Sequence, residues 1–235
     1  MKILAVESSS LVASVAILED DIITAEYTIN HKVTHSQTLL PMISDICRMT
    51  DTKPADFDAI AISGGPGSFT GLRIGSATAK GLGLALDIPL IHVPTLDAMA
   101  MNLYGTDMVI CPIMDARRSQ TYTGIYTMQD GELNIIHASD AMAIEDLVAE
   151  LNTLGKNTVF IGDGIPVFRD YIDTNASFEH TYAPAGMNRQ RASSVAILGA
   201  KYFAQGKIVS ADEHLPEYLR KSQAEREMEE KNAAR

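Results

Sequence analysis

A glycine-rich stretch in the first third of the chain decides the fold, and it reads Ile62-Ser-Gly-Gly-Pro-Gly-Ser-Phe-Thr-Gly-Leu-Arg-Ile-Gly75. The apolar, β-branched residues around its start predict a buried strand over 58–63, and a helix is predicted over 69–86. Strand, glycine turn and helix N-terminus together favour anion binding, because free N–H groups and the helix dipole meet there. A phosphate-binding P-loop also needs Gly-Lys-Ser/Thr, and this chain has Thr70-Gly71-Leu72 in that place. The stretch therefore predicts an α/β unit whose loop lacks the lysine of a nucleotide site.

The predicted helix carries small residues at every fourth position, namely Gly71, Gly75, Ala79 and Gly83. Positions four apart share one face of a helix. An interior glycine costs about 1 kcal/mol of helix stability relative to alanine, so this ridge indicates that something approaches the helix closely. The neighbour is either the chain's own sheet or a helix of another subunit, and the spacing leaves both open.

The composition argues against several kinds of partner. Nineteen Lys and Arg residues against 30 Asp and Glu residues give a formal net charge of −11, so the chain has no general attraction for nucleic acid or anionic membranes. Two cysteines are too few for a disulfide framework, and no apolar stretch reaches the length of a membrane span. The N-terminal residues predict a strand rather than a signal peptide. We expect a cytoplasmic protein without membrane contact, which reaches RNA only through another subunit.

The order of predicted elements indicates two successive α/β units. The first unit has strands 2–8, 13–19 and 22–29, helix 36–49, strand 58–63, helix 69–86, strand 90–93 and a short helix from Thr95. The second unit has strands 109–114, 120–128 and 132–138, helix 143–154 and strand 158–161. This near-repetition predicts a duplicated α/β fold.

The same order gives the expected domain boundaries. We expect one subdomain over 1–104 and a second, smaller one over 105–191. A last helix over 192–205 could return to either unit, and in the first it would complete the subdomain. The remaining residues, 206–235, form a C-terminal extension. Its charged part, from about 222, predicts a frayed or solvated helix because it has little apolar surface to bury.

Several motifs carry a resemblance to a known family. They are Ala5-Val-Glu-Ser-Ser9, the glycine-rich stretch, Pro112-Ile-Met-Asp-Ala-Arg117 and Pro216-Glu-Tyr-Leu-Arg-Lys-Ser222. Through them the whole chain resembles the bacterial TsaB (YeaZ) family. The resemblance implies a duplicated actin-like fold, of the ASKHA, ribonuclease H-like class. It also implies a non-catalytic subunit required to form N6-threonylcarbamoyladenosine beside the anticodon of tRNAs that read codons beginning with A.

The resemblance further implies partners. Family members bind and support the transferase TsaD, work with the ATPase TsaE, form homodimers when alone, and meet tRNA only through the complex. No cofactor is expected. Helices 36–49 and 69–86 are expected to dock the matching helices of TsaD. The expected interface residues are Leu39, Leu40, Ile43, Gly71, Leu72, Gly75, Ala79 and Gly83.

The metal site of the paralogue is expected to be missing. TsaD carries a metal-binding His-x-x-x-His just after the strand that matches 90–93, and this chain has Thr95 and Met99 at the matching positions. A hydroxyl and a thioether do not replace two imidazoles around a catalytic iron or zinc ion. We therefore expect neither a metal nor a catalytic residue in this chain.

Residual contacts to an anion or nucleotide are expected from four residues. Actin-like folds hold phosphates between the first two strands, where this chain has Ser8 and Ser9. Gly65 in the glycine turn and Asp163 after strand 158–161 could add contacts. Serine, glycine and aspartate are also ordinary turn residues, so plain turns explain them equally well.

Two other functions and one charged cluster stay open. An actin-fold ATP-dependent kinase or transferase would lose ATP turnover on changing Glu7 or Asp163, and a metallopeptidase would contain bound iron or zinc. The cluster Asp115-Ala-Arg117-Arg118 could bind an anion or the partner, or form a salt bridge at the mouth between the two halves.

Overall fold

The computed structural model describes residues 1–220, which form two α/β halves. The first half contains β1 (Lys2–Glu7), β2 (Val12–Glu19), β3 (Ile22–Asn30), α1 (His35–Met49), a 3-10 turn (Pro54–Asp56), β4 (Ala59–Gly65), α2 (Phe69–Leu86), β5 (Leu90–Pro94) and α3 (Thr95–Met101). The second half contains β6 (Val109–Asp115), β7 (Gln120–Gln129), β8 (Glu132–Ala143), α4 (Ile144–Leu154), β9 (Thr158–Ile161), α5 (Ile165–Asn175) and β10 (His180–Tyr182). The last described helix is α6 (Ala192–Ala204).

The first sheet has the strand order β3-β2-β1-β4-β5. β1 pairs antiparallel with β2 and parallel with β4, which pairs parallel with β5. Alternate residues of a strand face opposite sides of the sheet. Leu4 and Val6 accordingly pack under α1 and α2, whereas Ile3 and Ala5 pack against α6. Helix α6 therefore returns to the first half after β10 is complete.

The second sheet repeats this design with the order β10-β9-β6-β7-β8. Helices α4 and α5 cover one face through Leu147 and Phe168, and α3 covers the other face through Leu96 and Met99. Both halves run strand, strand, strand, helix, strand, helix, strand along the chain. The predicted duplication is confirmed.

The glycine-rich stretch takes the predicted form of strand, turn and helix. Ser68 lies at the N-cap of α2, and its Oγ accepts a hydrogen bond from the Gly71 N–H at 3.3 Å. The Gly65–Pro66 peptide bond in the turn is cis. Among the described residues, no helix is both long and apolar enough to cross a membrane.

The sequence-based assignment of elements differs from the structure in four main places. Strand β8 extends to Ala143, five residues beyond its predicted end at 138. Helix α5 and the three-residue strand β10 were not predicted, although they complete the second half. Helix α1 begins at His35 rather than Ser36, because Thr34 is the last residue with extended backbone angles. The charged tail predicted from about 222 lies outside the described residues.

Candidate functional site

A cleft of about 630 Å³ lies between the two halves. One wall comes from the loop after β1, the first residue of α1 and the N-terminus of α2. The opposite wall comes from the end of β6, the start of β7 and the residue after Gly162. Two five-stranded sheets thus meet at the ends of their central strands, where α/β proteins commonly bind ligands.

The serine loop after β1 uses all three of its hydroxyl groups inside the protein. The Ser8 Oγ–H donates to the Gly71 carbonyl at 2.9 Å, and the Ser9 Oγ–H donates to Glu7 Oε1 at 2.6 Å. The Ser10 Oγ–H donates to Gln190 Oε1 at 2.9 Å. A phosphate in the cleft would have to break or share these bonds.

Glu7 lies at the base of this loop and is fully buried. Burial raises the pKa of its carboxyl, and hydrogen bonds from the Ser9 side chain and N–H oppose the rise. Its Oε1 accepts both Ser9 donors, while its Oε2 has no hydrogen-bond partner among the described residues. A buried carboxyl at this place offers no attraction to a phosphate.

His35 closes the same wall of the cleft. Its ring is buried, and its Nε2–H donates to the Ser10 carbonyl at 2.8 Å. The local sequence around His35 contains no motif that indicates this role.

Asp163 and a salt bridge occupy the opposite wall. Burial raises the pKa of the Asp163 carboxyl, against the effect of the Arg189 charge. Arg117 Nη1 lies 3.0 Å from Asp115 Oδ2, and the Arg117 N–H donates to Asp115 Oδ1 at 2.8 Å. The hypothesis of a salt bridge at the mouth of the cleft is confirmed for this pair.

Of the four residues expected to touch an anion, two line the cleft and two do not. Ser9 and Asp163 both line the cleft. Ser8 is turned toward α2, and Gly65 faces the C-terminal segment, where an added β-carbon would lie 2.2 Å from the Glu217 carbonyl oxygen. The glycine at 65 has a φ of +127°, which side chains rarely tolerate. The loop thus serves close packing of the chain on itself.

Thr95 and Met99 lie in the core at the start of α3. The Thr95 hydroxyl and the Ser63 hydroxyl are hydrogen-bonded at 2.8 Å. Met99 packs against Gly162, where an added β-carbon would approach the methionine methyl to 2.8 Å. Within residues 1–220 there is no group of three or more His, Cys, Asp or Glu side chains placed to hold a metal ion. The two residues matched to the metal-binding histidines of TsaD therefore serve packing and an internal hydrogen bond in this chain.

The small-residue ridge of α2 faces the chain itself, which corrects the expectation that it faces a partner. An added β-carbon would lie 2.1 Å from the Ser8 carbonyl oxygen at Gly71 and 2.1 Å from Ser8 Oγ at Gly75. At Gly83 it would lie 3.0 Å from the Ala211 β-carbon. Among the other expected interface residues, Leu40 is 54% exposed. The rest are buried, namely Leu39, Ile43, Leu72 and Ala79.

A second ridge of α2 faces outward and was missed in the sequence. It consists of Arg73, Ala77, Gly81 and Ala85, which are four apart and all exposed. An added β-carbon on Gly81 would meet no atom of residues 1–220 within 4 Å. Both ridges have the same period, so periodicity alone does not tell which one is covered by the sheet.

Comparisons with known proteins identify the family. The family model of TsaD, tRNA N6-adenosine threonylcarbamoyltransferase, matches residues 23–228. The tRNA threonylcarbamoyladenosine biosynthesis protein TsaB of Bacillus subtilis strain 168 is 33% identical over 227 residues, covering 96% of each chain. The protein of the same name from Escherichia coli K12 is 31% identical over 230 residues, covering 95% of this chain and 96% of that one.

A solved structure supports the same assignment. YeaZ from Pseudomonas aeruginosa is 26% identical and superposes with a TM-score of 0.80, covering 93% of this chain and 99% of the other. The expected duplicated actin-like fold, of the ASKHA, ribonuclease H-like class, is confirmed by this match and by the repeated sheets. The chain belongs to the TsaB (YeaZ) family.

Proposed function

We propose that this chain takes part in forming N6-threonylcarbamoyladenosine in tRNA as a non-catalytic subunit that binds and supports TsaD. Family membership supplies the pathway. The observation that carries the non-catalytic role is the serine loop, whose hydroxyls all donate to acceptors within the chain. An actin-like enzyme would present this loop to a nucleotide phosphate. The buried Glu7 beneath the loop adds a group that does not favour a phosphate.

The partner would dock on the outward surface of α1 and α2. Leu40 of α1 is 54% exposed and Leu84 of α2 is 62% exposed, and the outward ridge presents Ala77 and Gly81 to solvent. A glycine in the middle of an exposed helix costs about 1 kcal/mol and gains no packing within the chain. Small side chains at this ridge let a second helix approach closely, so two helices from each subunit would form the contact.

The remaining parts of the proposal concern the other partners. TsaE would join the complex, the isolated chain would pair with a second copy of itself through the same helices, and both events would take place in the cytoplasm. The chain would meet tRNA only indirectly, since a net charge of −11 repels the phosphate backbone.

The test compares two arginine substitutions at exposed helical alanines. Ala77→Arg places a long charged side chain in the proposed contact, whereas Ala149→Arg places the same side chain on α4 of the second half. We expect Ala77→Arg to weaken binding to purified TsaD by about tenfold or more, equivalent to about 1.4 kcal/mol, because an unpaired charge would be buried. Titration calorimetry measures both affinities, and a threonylcarbamoylation assay with TsaD, TsaE and tRNA measures the consequence.

Three results would contradict the proposal. TsaD could bind the Ala77→Arg and Ala149→Arg variants equally well. Modification of tRNA could proceed at full rate without this chain. The purified chain could turn over ATP by itself, with the turnover lost in Glu7→Gln, which would favour the kinase or transferase alternative.

A further inference from the structure

The C-terminal segment 206–220 runs along α2 and then crosses the mouth of the cleft. Val209 and Leu90 exchange two backbone hydrogen bonds of 2.9 Å, which extends the first sheet beyond β5. Ala211 packs against Gly83 of α2. The Lys80 ammonium donates to the Asp212 carbonyl at 3.0 Å and to the His214 carbonyl at 3.1 Å. We call this segment the strap.

The end of the strap contacts both halves of the protein. The Glu217 N–H donates to the Gly64 carbonyl at 2.7 Å, and the Tyr218 ring stacks on Phe69 with the centroids 3.9 Å apart. Arg220 then donates to the carbonyl of Ala116, at the mouth of the cleft in the second half. The strap therefore covers the outer face of the glycine-rich turn and links the two halves.

His214 holds the middle of the strap in a buried position, and no acidic group within residues 1–220 acts on it. Its ring is 2% exposed and its Nδ1 is hydrogen-bonded to Ser76 Oγ at 3.1 Å, while its Nε2 has no partner among the described residues. The charged or titratable groups that act on it are Lys80 from α2 and His92 from β5, whose ring centroid is 5.7 Å away. Both groups oppose a positive charge on the ring.

The acidic residues of the strap are engaged elsewhere. Glu213 Oε2 accepts the Ser210 hydroxyl at 2.6 Å, and Glu217 Oε2 lies 3.8 Å from His92 Nε2. Asp212 is exposed and contributes its backbone carbonyl, not its carboxylate, to Lys80. Burial lowers the pKa of His92 although the Glu217 charge opposes that effect, so a proton on His92 does not stabilise the docked strap. His214 is the more strongly affected of the two histidines, because its ring is buried and the charged groups that act on it, His92 and Lys80, both oppose a proton.

We propose that the strap is detachable and that protonation of His214 releases it from α2 and from the glycine-rich turn. Release would uncover the outer face of Gly64 and Gly65 and remove the link from Arg220 to the second half. The strap would then act as an acid-sensitive clasp across the cleft.

The direction of the effect follows from the histidine in its docked and free states. Burial, with the charges of His92 and Lys80, lowers the pKa of docked His214 to about 4, from an ordinary value of 6.5. The contribution of neutral His214 to docking is therefore present above about pH 6.5. It is lost as the pH falls toward 4, because the free strap takes up the proton more readily than the docked strap. The docking equilibrium should fall about 20-fold between pH 7 and pH 5.

The experiment uses the full chain with one fluorescent reporter. The chain has no tryptophan, so Tyr218→Trp on Phe69 would report the docked strap alone. We expect its emission to shift to the red between pH 7.5 and pH 5 while far-ultraviolet circular dichroism stays constant. Adding His214→Gln, which keeps a neutral hydrogen-bonding side chain, should abolish the shift. Adding His137→Gln instead, a histidine paired with Glu150 in the second half, should leave it unchanged.

Hydrogen exchange on the unmodified chain provides a second measurement that does not depend on any variant. The amides of Val209 and Glu217 should lose protection at pH 5 after correction for intrinsic exchange, whereas α6 should keep its protection. Unchanged protection of both amides down to pH 5 would overturn the proposal. So would an equal red shift with and without His214, or a loss of helical signal that accompanies the shift.

Discussion

Glycines on the two ridges of α2 make opposite contributions to the protein. Gly71 lies where the helix meets the serine loop, and an added β-carbon would press on the Ser8 backbone carbonyl at 2.1 Å. A backbone atom cannot rotate away as a flexible side chain would. Gly81 lies on the outward ridge, and no other atom of the described part of the chain would contact a β-carbon there. One glycine is therefore required by packing, and the other packs against none of the residues that the structure describes.

Replacing glycine by alanine at these two positions should change the stability of the protein in opposite directions. We expect Gly71→Ala to destabilise the protein by about 1–3 kcal/mol, because the serine loop or the helix must move. We expect Gly81→Ala to stabilise it by up to about 1 kcal/mol through helix propensity alone. Urea unfolding of both variants measures the difference. If both variants were stabilised, the close contact between α2 and the serine loop would not exist in solution.

At the scale of elements, α6 depends on β3 for its N-terminal cap. Its N-cap residue, Arg191, makes no capping hydrogen bond with its own side chain. Glu26 of β3 replaces that cap, since its Oε1 accepts the Ser193 N–H at 3.0 Å and the Ser193 hydroxyl at 2.7 Å. Its Oε2 accepts two hydrogen bonds from the Arg191 guanidinium. A carboxylate at a helix N-terminus also interacts favourably with the helix dipole.

This cap should make stability depend on pH. Burial of Glu26 opposes ionisation, but the hydrogen bonds from Arg191 and Ser193 outweigh it and hold the pKa of the carboxyl below its usual range. A folded-state pKa below the unfolded value adds stability at neutral pH, and this is lost as the pH falls below about 5. We expect Glu26→Gln to cost about 1–3 kcal/mol at pH 7 and to flatten that acid dependence. Thermal unfolding at pH 7 and pH 4 checks it, with Asp107→Asn, at an exposed position outside the helices, as control. A loss that is equal at both pH values would contradict the role of the charge.

The elements show where the sequence was informative. Helix α2 and strand β4 were predicted within a residue or two, because glycine, proline and a capping serine punctuate a strongly apolar strand. Helix α5 was missed because Pro166 and Gly164 resemble a turn and its polar residues mask a short apolar stripe. Which of the two ridges of α2 packs on the sheet was not predictable, because a period of four shows that residues share a face but not what that face contacts. The serine loop was found as a motif, but its internal hydrogen bonds depend on residues as distant as Gln190.

At the scale of the whole molecule, one buried carboxyl joins the two halves. Asp97 of α3 accepts the Tyr126 hydroxyl of β7 at 2.9 Å, and the Tyr202 side chain of α6 also acts on the pKa of this carboxyl. Burial raises the pKa of this carboxyl, against the effect of the Tyr126 and Tyr202 side chains. Tyr126 belongs to the second sheet, whereas α6 packs on the first sheet. The two halves therefore share a polar contact that is costly to leave unpaired.

Removing one hydroxyl from this contact should weaken both halves together. Tyr126 is fully buried, so Tyr126→Phe leaves Asp97 with a missing donor, and we expect a loss of about 1–3 kcal/mol. Tyr104→Phe removes a hydroxyl from a side chain that is 64% exposed, and we expect a change within about 0.5 kcal/mol. Scanning calorimetry should show one transition that moves to lower temperature in Tyr126→Phe and stays in place in Tyr104→Phe. Two transitions, with only the second half destabilised, would mean that the halves unfold independently and that Asp97 does not couple them.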